Sequence, residues 1–590
     1  MNIYHTLKET HTAELAALNK KSYLVGSLRL ICIVLCLLCL VAYYKLSQPI
    51  FMISFAALVV GFFILMKFHD ALFERIKRKK ALIRINQNEI DYLEGKRIPF
   101  EDGAEYTDPA HAYSYDLDVF GKNSLFQNIN RTECYAGKKK LAASLLEGHT
   151  NPQILLNQDA IKELTGKIEL RQDLSVLARF SNDSPEVYQH LVEWADRKDT
   201  GIPGSLKIVS YVLPAITLAA IACYILFSQD LFYRIASFAF LANLSVLFSK
   251  QKKIKQEIAN FDRVQQALSH YGLFISRLEQ EGFESKHLNT LKESLSYNQI
   301  QASVQLKYLA ALCRKLNSMN NAFASFILNG LYLYHLHVFW ALLKWKKAYA
   351  RQIPLWLEVI GEFEMLNSYA NFAYNNPGFS YPELNQAHEL QFKDLGHPLI
   401  GQKKRIVNDV TFADHKFIIL TGSNMSGKST FLRTLGVNMI LAKAGSPVCA
   451  SFSSIHPLPV LVSMRLTDSL HENQSYFFAE VRRLKEIMDA LSDEVCFVIL
   501  DEILKGTNSE DKRTGTIGII KQVIAKKGIG AIATHDLKIC DTTLEYPDYL
   551  SNQCFEAQVI DNELFFDHKL RAGICQNKSA TFLLKKMGII

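Results

Sequence analysis

Charge of one sign is what this sequence most lacks. Its 66 Lys and Arg stand against 58 Asp and Glu, a net of +8 spread over 590 residues. So mild a bias excludes a histone-like polycation. Proline and glycine are sparse too, at 15 and 28 residues, and 49% of the chain is hydrophobic, which excludes collagen-like, low-complexity and disordered classes. No short-period internal repeat is present. The 11 cysteines are odd in number and form no paired C-x-x-C array, so neither a disulfide framework nor a zinc site is indicated. Cys36 and Cys39 have C-x-x-C spacing but sit in an apolar run, where free thiols act as small hydrophobes.

What is present is clustered apolarity. The mean hydropathy of +0.03 is high for a chain that is 21% charged. Residues 50–66 carry no charge, nor do residues 30–44, and the latter run extends back to Tyr23 if Arg29 snorkels. Residues 208–227 and 231–248 form a second pair, with Arg234 near the start of the latter. Spanning the ~30 Å hydrocarbon core takes about 20 helical residues, so each run is long enough or nearly so. Short polar joints at 45–49 and 228–230 make two hairpins of them, against the alternative of buried core helices. Lys20 and Lys21 precede the first hairpin, and Arg75, Lys77, Arg78, Lys79 and Lys80 follow it. Arg197, Lys198 and Lys207 precede the second, and Lys250, Lys252, Lys253 and Lys255 follow. Both hairpins are therefore expected to start and finish on the cytoplasmic side. No small-residue cleavage site follows the first run, so it reads as a span and not a leader.

Between these runs the texture is helical. Residues 68–94 continue the second span as a charged helix, and breakers at 95–112 mark a linker. Helical spacing resumes from Ser114 to about Ala195, and residues 251–376 read as long amphipathic helices. After residue 385 short β-rich runs alternate with Gly-rich turns and helices, which predicts an α/β domain on a parallel sheet.

The chemistry lies in that last domain. A buried-strand pattern, residues 416–420, runs into Gly422-Ser423-Asn424-Met425-Ser426-Gly427-Lys428-Ser429-Thr430 and then a helix. This is G-x-x-x-x-G-K-S in the strand–loop–helix context that a phosphate-binding loop requires. The glycines let backbone amides wrap phosphates, and the helix start adds its positive end. Lys428 would meet the β- and γ-phosphates and Ser429 would ligate Mg²⁺. A second apolar strand, 495–500, ends in Asp501, a candidate Mg²⁺ ligand, and Glu502, placed to orient or deprotonate the attacking water. A third, 529–533, delivers Thr534 and His535 to the same edge, where His535 could sense the γ-phosphate.

These motifs, in this order, resemble the MutS family of ATPases, the mismatch-repair branch of the ABC-type class. Gly396-His397-Pro398 and Asn408 precede the first strand. The loop from Thr421 to Thr430 resembles the family's T-G-P-N-M-x-G-K-S-T. Ser475-Tyr476-Phe477-Phe478-Ala479-Glu480 resembles S-T-F-x-x-E, and the stretch from Asp501 to Asn508 resembles D-E-I-G-R-G-T-S. Weaker likeness extends over 113–200 and 256–385. The departures are as informative: Gln474 stands for the signature glycine, and Leu504-Lys505 stand for Gly-Arg. A hairpin occupies the place of the mismatch-reading and connector domains, and the chain stops soon after Thr581, so the mismatch-reading domain and the dimerisation tail are expected to be missing.

The resemblance, taken with the apolar runs, implies a multidomain chain: an α-helical core and lever with two transmembrane hairpins, plus a C-terminal α/β P-loop ATPase domain of MutS/ABC type. The expected limits are a cytoplasmic segment at 1–22, the first hairpin at 23–67 and a stalk with linker at 68–112. The core follows at 113–205 and 251–385 around a second hairpin at 206–250, and the ATPase domain occupies 386–590. Implied partners are ATP, Mg²⁺, a second copy through the nucleotide domains, DNA between the helical arms, and a lipid bilayer around four helices of a multi-pass inner-membrane protein. Ser475 would reach the partner subunit's γ-phosphate in trans. The alternatives are a transport or remodelling machine driven by the same motor, and an ATP-binding scaffold without turnover. The first is opposed by the absence of L-S-G-G-Q and of central acidic or paired charges within the spans, and the second by the intact Lys428, Asp501 and Glu502.

Overall fold

The computed structural model describes residues 2–197, 204–257, 261–297, 299–465, 476–560, 563–576 and 589. It divides into two compact units, Met1–Pro99 with Glu169–Val176, and Phe100–Ile168 with Leu177–Ile590.

The first unit is built on two 45-residue helices, Asn2–Leu46 and Pro49–Leu93. Ser47, in the left-handed region at φ 50°, reverses the chain. Pro49 opens the second helix, where a missing amide costs nothing. The two helices run antiparallel, with Cys32 Sγ 3.1 Å from Leu58 O and Lys79 paired with Glu14. Residues 2–22 are continuous with the apolar run that follows, and the second helix continues unbroken through its charged stretch. At the end away from the joint, buried Asn86 and Gln172 exchange two hydrogen bonds, at 2.9 and 3.2 Å, and Arg78 donates to Asp173 at 2.6 Å.

In the second unit, Gly204–Phe227 and Asp230–Glu257 form another helical hairpin. With the first pair, these helices are long and apolar enough to cross a membrane. The expectation of long amphipathic helices over 251–376 holds for Phe261–Gln280, which buries Val264, Leu268, Tyr271 and Ile275 on one face, and is corrected beyond it. The segment is cut into shorter helices, among them Ala302–Asn317, Ala322–Tyr332, Tyr334–Tyr349 and Ile353–Asn375. The chain bends by 83° after Tyr332. Leu333 takes a left-handed backbone there, and Asn329 Oδ1 accepts the freed amide of His335 at 3.0 Å, so a side chain replaces the helical bond.

The helix Ile353–Asn375 is buried along most of its length and organises the core. Its Glu364 is 2% exposed and accepts the amides of Glu133 and Cys134 at 3.0 and 2.9 Å. Those bonds tie the start of the helix Tyr135–Leu146 to it. Burial raises the Glu364 carboxyl to about 7 against the pull of those donors.

The C-terminal part carries a six-stranded sheet in the order Glu563–Ala572, Leu550–Ile560, Phe417–Gly422, Ile529–Ala533, Phe497–Asp501, Val460–Ser463. All neighbours are parallel except the final hairpin, which is antiparallel. Phe417–Gly422, Phe497–Asp501 and Ile529–Ala533 are buried at every position, which is why they read as unbroken apolar runs and not as alternating ones. A smaller four-stranded sheet stands in the same region, built from Glu383–Leu384, Phe452–Ile455, Leu390–Leu395 and Asn408–Thr411. Parallel register leaves the carboxyl ends of the three central strands side by side. The site forms there.

Candidate functional site

The loop after Phe417–Gly422 enters the helix Lys428–Lys443 through Gly427, whose φ of +106° suits only glycine. A β-carbon at that position would also stand 3.0 Å from His568 Nδ1. The first turn of the helix thus points free amides into the loop. Lys428 is buried, and its Nζ donates to Gly422 O at 2.9 Å and Ser423 O at 3.2 Å. Burial pulls its ammonium below the usual lysine range, against the opposing fields of Glu502 and Asp501.

The neighbouring strands bring the other predicted residues to the same place. Thr534 N bonds Leu420 O at 3.0 Å and Glu502 N bonds Ala533 O at 3.0 Å, so the three strand ends are laced together. Glu502 Oε1 lies 2.6 Å from His535 Nε2, and Lys505 Nζ lies 3.9 Å from Glu502 Oε2. The His535 hydrogen bond holds the Glu502 carboxyl at about 2, outweighing partial burial. His535 Nε2 is also 3.4 Å from Lys428 Nζ. The resulting chain, Lys428–His535–Glu502, joins all three strands.

Three buried polar atoms around this chain have no partner among the described residues: Ser423 Oγ, Ser426 Oγ and Asp501 Oδ1. Buried groups are paired in the large majority of folded proteins, so a cluster of orphans on one sheet edge marks a place for an absent polar ligand. The residues fit a divalent cation in the same sense. Asp501 offers a carboxylate oxygen and Ser429 an exposed hydroxyl, the hard oxygen donors that Mg²⁺ takes alongside water and phosphate. Ser429 and Asn424–Ser426 line a cleft of about 410 Å³, a volume suited to a small-molecule ligand.

That cleft also has walls the motif reading did not name as site residues: His397, Lys404, Asn408, Phe555 and His568. His568 Nδ1 lies 2.8 Å from Ser426 O, and Asn408 holds the His568 strand through bonds to His568 O at 3.1 Å and Leu570 N at 2.8 Å. Nothing in local sequence ties His568 to the loop, since it arrives on the antiparallel edge hairpin. His397 and Asn408 did carry a signal, as members of the motif series. Burial, with Arg433 and Arg405 nearby, drives the His397 imidazole down to about 4, so it is neutral at physiological pH.

Ser475 lies outside the described residues. The helix that follows it, Tyr476–Asp493, presents Glu480, whose carboxylate accepts the amides of Leu504 and Lys505 at 2.6 and 3.1 Å. Leu504 sits at φ +61°, a left-handed conformation at the position where the resembling family has glycine. Glu480 therefore clamps a strained loop directly beyond Glu502.

A parallel α/β sheet with a glycine loop, a helix start and one strand end bearing two acidic residues at one edge has the arrangement of nucleotide-binding domains. Known proteins share this part of the chain. Residues 418–587 match the family model for MutS domain V. The chain is 28% identical to human MutS protein homolog 4 over 38% of its own length and 24% of that protein. It is 28% identical to the DNA mismatch repair protein MutS of Ehrlichia ruminantium (strain Gardel), over 41% of this chain and 30% of that one. With the protein of the same name from Methanosarcina barkeri it shares 26% identity over 67% of this chain and 48% of that one. The C-terminal part of the chain is thus similar to MutS proteins. The matches span between about a quarter and a half of these relatives' lengths.

Proposed function

We propose that this chain is a membrane-anchored MutS-like ATPase. It would bind and hydrolyse ATP with Mg²⁺ at the Lys428–Glu502 edge, pair through its nucleotide domains, and act on DNA, the ligand that the relatives' names imply. The anchoring would place it in the cytoplasmic membrane as a multi-pass protein, with the ATPase domain in the cytoplasm. The observation that carries the motor reading is the convergence of Lys428, Asp501, Glu502 and His535 at one helix start, beside three orphaned polar atoms.

In this reading Lys428 exchanges Gly422 O and Ser423 O for phosphate oxygens, and the amides of the first helical turn do the same. Ser429 and Asp501 would hold the Mg²⁺, which when bound neutralises phosphate charge. Glu502 orients the water and takes its proton. A carboxylate held at about 2 is a poor base, so His535 must first let go of it. The resting hydrogen bond thus keeps the base idle, and the nucleotide's arrival beside Lys428 and His535 is the event that frees it. Ser475 would complete the partner subunit's site.

ATP hydrolysis by the full chain in nanodiscs, with and without duplex or branched DNA, tests this reading. Lys428→Ala is expected to abolish both ATP binding and turnover. Undiminished ATP binding in that variant would remove the phosphate role, and turnover indifferent to every DNA would leave the transport or remodelling machine as the better account.

A further inference from the structure

We infer that the bent helix pair after Ala302–Asn317 is a re-entrant membrane element, with Ala322–Tyr332 embedded among the acyl chains of the leaflet that the second hairpin enters. The inference rests on the membrane reading above and goes beyond its four spans. Residues 316–343 contain no Asp, Glu, Lys or Arg. Arg314 and Lys315 stand before it and Lys344 and Lys347 after it, all four exposed. Cationic flanks on both ends place both on the same, cytoplasmic side, so the segment enters and returns without crossing. An 83° bend supplies the return.

The outward face of Ala322–Tyr332 is apolar. Phe323 is 77% exposed and Phe326 53%, with Ile327, Leu328 and Tyr332 beside them. Its inward face meets the second hairpin closely enough that a β-carbon on Gly330 would stand 2.1 Å from the Phe240 ring. Phe240 and Phe326 pack edge to face at 5.1 Å. Its exposed apolar surface thereby continues that of the hairpin, where Phe238 and Leu241 are also exposed.

The polar chemistry at the bend is what hydrocarbon demands. A helix end in lipid cannot borrow water, so neighbouring side chains must take its freed backbone groups. Asn243, fully buried on the second hairpin, donates to Gly330 O at 2.8 Å and to Thr217 Oγ1 at 3.1 Å. Leu333 N returns to Asn329 O at 3.0 Å, and Asn329 Oδ1 takes His335 N. His335, itself buried, is held by Asn329 at 2.7 Å and Ser318 at 3.1 Å. A helix end facing water would need none of these.

Tryptophan fluorescence of the full chain tests the inference, in nanodiscs with acyl-brominated lipid and with aqueous iodide as the opposing quencher. Phe323→Trp reports the Ala322–Tyr332 helix and Phe238→Trp, equally exposed at 77%, reports the hairpin. The emission each variant adds to that of the native chain is expected to be quenched by bromolipid to the same extent and spared by iodide. Quenching of Phe323→Trp by iodide while Phe238→Trp responds to bromolipid would put the helix in water, overturning the inference and leaving the membrane reading in place. Protection of Phe323→Trp from both quenchers would mean a protein cover, such as a second copy, and would overturn it equally. Failure of bromolipid at both positions would remove the membrane reading and the inference with it. Leu328→Trp, on the same helix, repeats the measurement if Phe323→Trp folds poorly.

Discussion

The two hairpins read alike in sequence and differ in structure. Both are pairs of apolar runs with short joints and cationic flanks. Yet of the most apolar stretch in each helix, 6% and 0% is buried in the first hairpin, against 22% and 17% in the second. Beyond its own two helices, the first hairpin is bonded near its charged end, where Asn86 meets Gln172 and Arg78 meets Asp173. The second buries Ser210, Thr217 and Asn243 within its apolar run, against helices that lead on to Ile353–Asn375. Equal hydropathy therefore hides two designs. One leaves nearly all of its apolar surface open, the surface for lipid in the membrane reading proposed above. The other is part of the helical core, and changes to it are felt in folding.

Four measurements press on this difference. The largest effect lies outside both hairpins and sets the scale. Glu502→Gln should keep ATP binding and cut turnover by ~10²–10⁴-fold, the usual cost of losing a positioned base. Single-turnover kinetics check it, and a first-hairpin substitution that reached the same loss would end the description of that hairpin as a surface for lipid.

The next is a pH titration, because only the second hairpin's unit holds Glu364. Its folded-state carboxyl lies at about 7, above its value of 4.5 in the unfolded chain. The folded form thus binds the proton more tightly. That contribution is full below pH 4.5 and is lost as pH rises through 7, by roughly 3–4 kcal/mol at 1.36 kcal/mol per unit. Melting of the wild type should drop between pH 5 and 8, and Glu364→Gln should flatten the slope. An unchanged slope would show that the buried carboxyl is not its source.

Paired glycines give a cleaner contrast. Gly330→Leu drives a side chain into Phe240 and should cost about 1–3 kcal/mol, whereas Gly61, with nothing within 4 Å of its β-carbon, should accept Leu within about 0.5 kcal/mol. Equal effects in thermal unfolding of the two variants would erase the distinction. Smallest is Asn243→Leu, which leaves Gly330 O unpaired. Interhelical hydrogen bonds in membranes average ~0.6 kcal/mol with a maximum near 1.7, and a loss in that range is expected. A rise in stability would mean that Gly330 O finds another donor.

Much of the site was legible because its chemistry is local. Gly422 to Thr430 are consecutive, Asp501 and Glu502 adjoin at a strand end, and a glycine loop between strand and helix has few other uses. His568 was not legible, since an edge hairpin more than a hundred residues downstream carries it to Ser426 O. The meeting of Glu502 and His535 at one sheet edge is legible in sequence, but their direct 2.6 Å bond is not. Leu504 illustrates the reverse case: the replacement of the family's glycine is plain in sequence, and its left-handed backbone, clamped by Glu480, is visible only in the fold.

From sequence alone came the parallel α/β domain, the nucleotide loop with its acidic strand end, the MutS resemblance and four apolar helices. Each is a pattern of neighbours along the chain, where strand burial, helix length and loop geometry act within a few residues. The tertiary structure alone decided which apolar surface stays open, how Ala322–Tyr332 bends back onto the second hairpin, and which histidine closes the cleft. Those depend on contacts between residues distant in sequence. A hydropathy pattern records how apolar a helix is, but not what stands beside it. Only packing tells Asn243 bonded to Gly330 O from an asparagine in a lipid-facing helix.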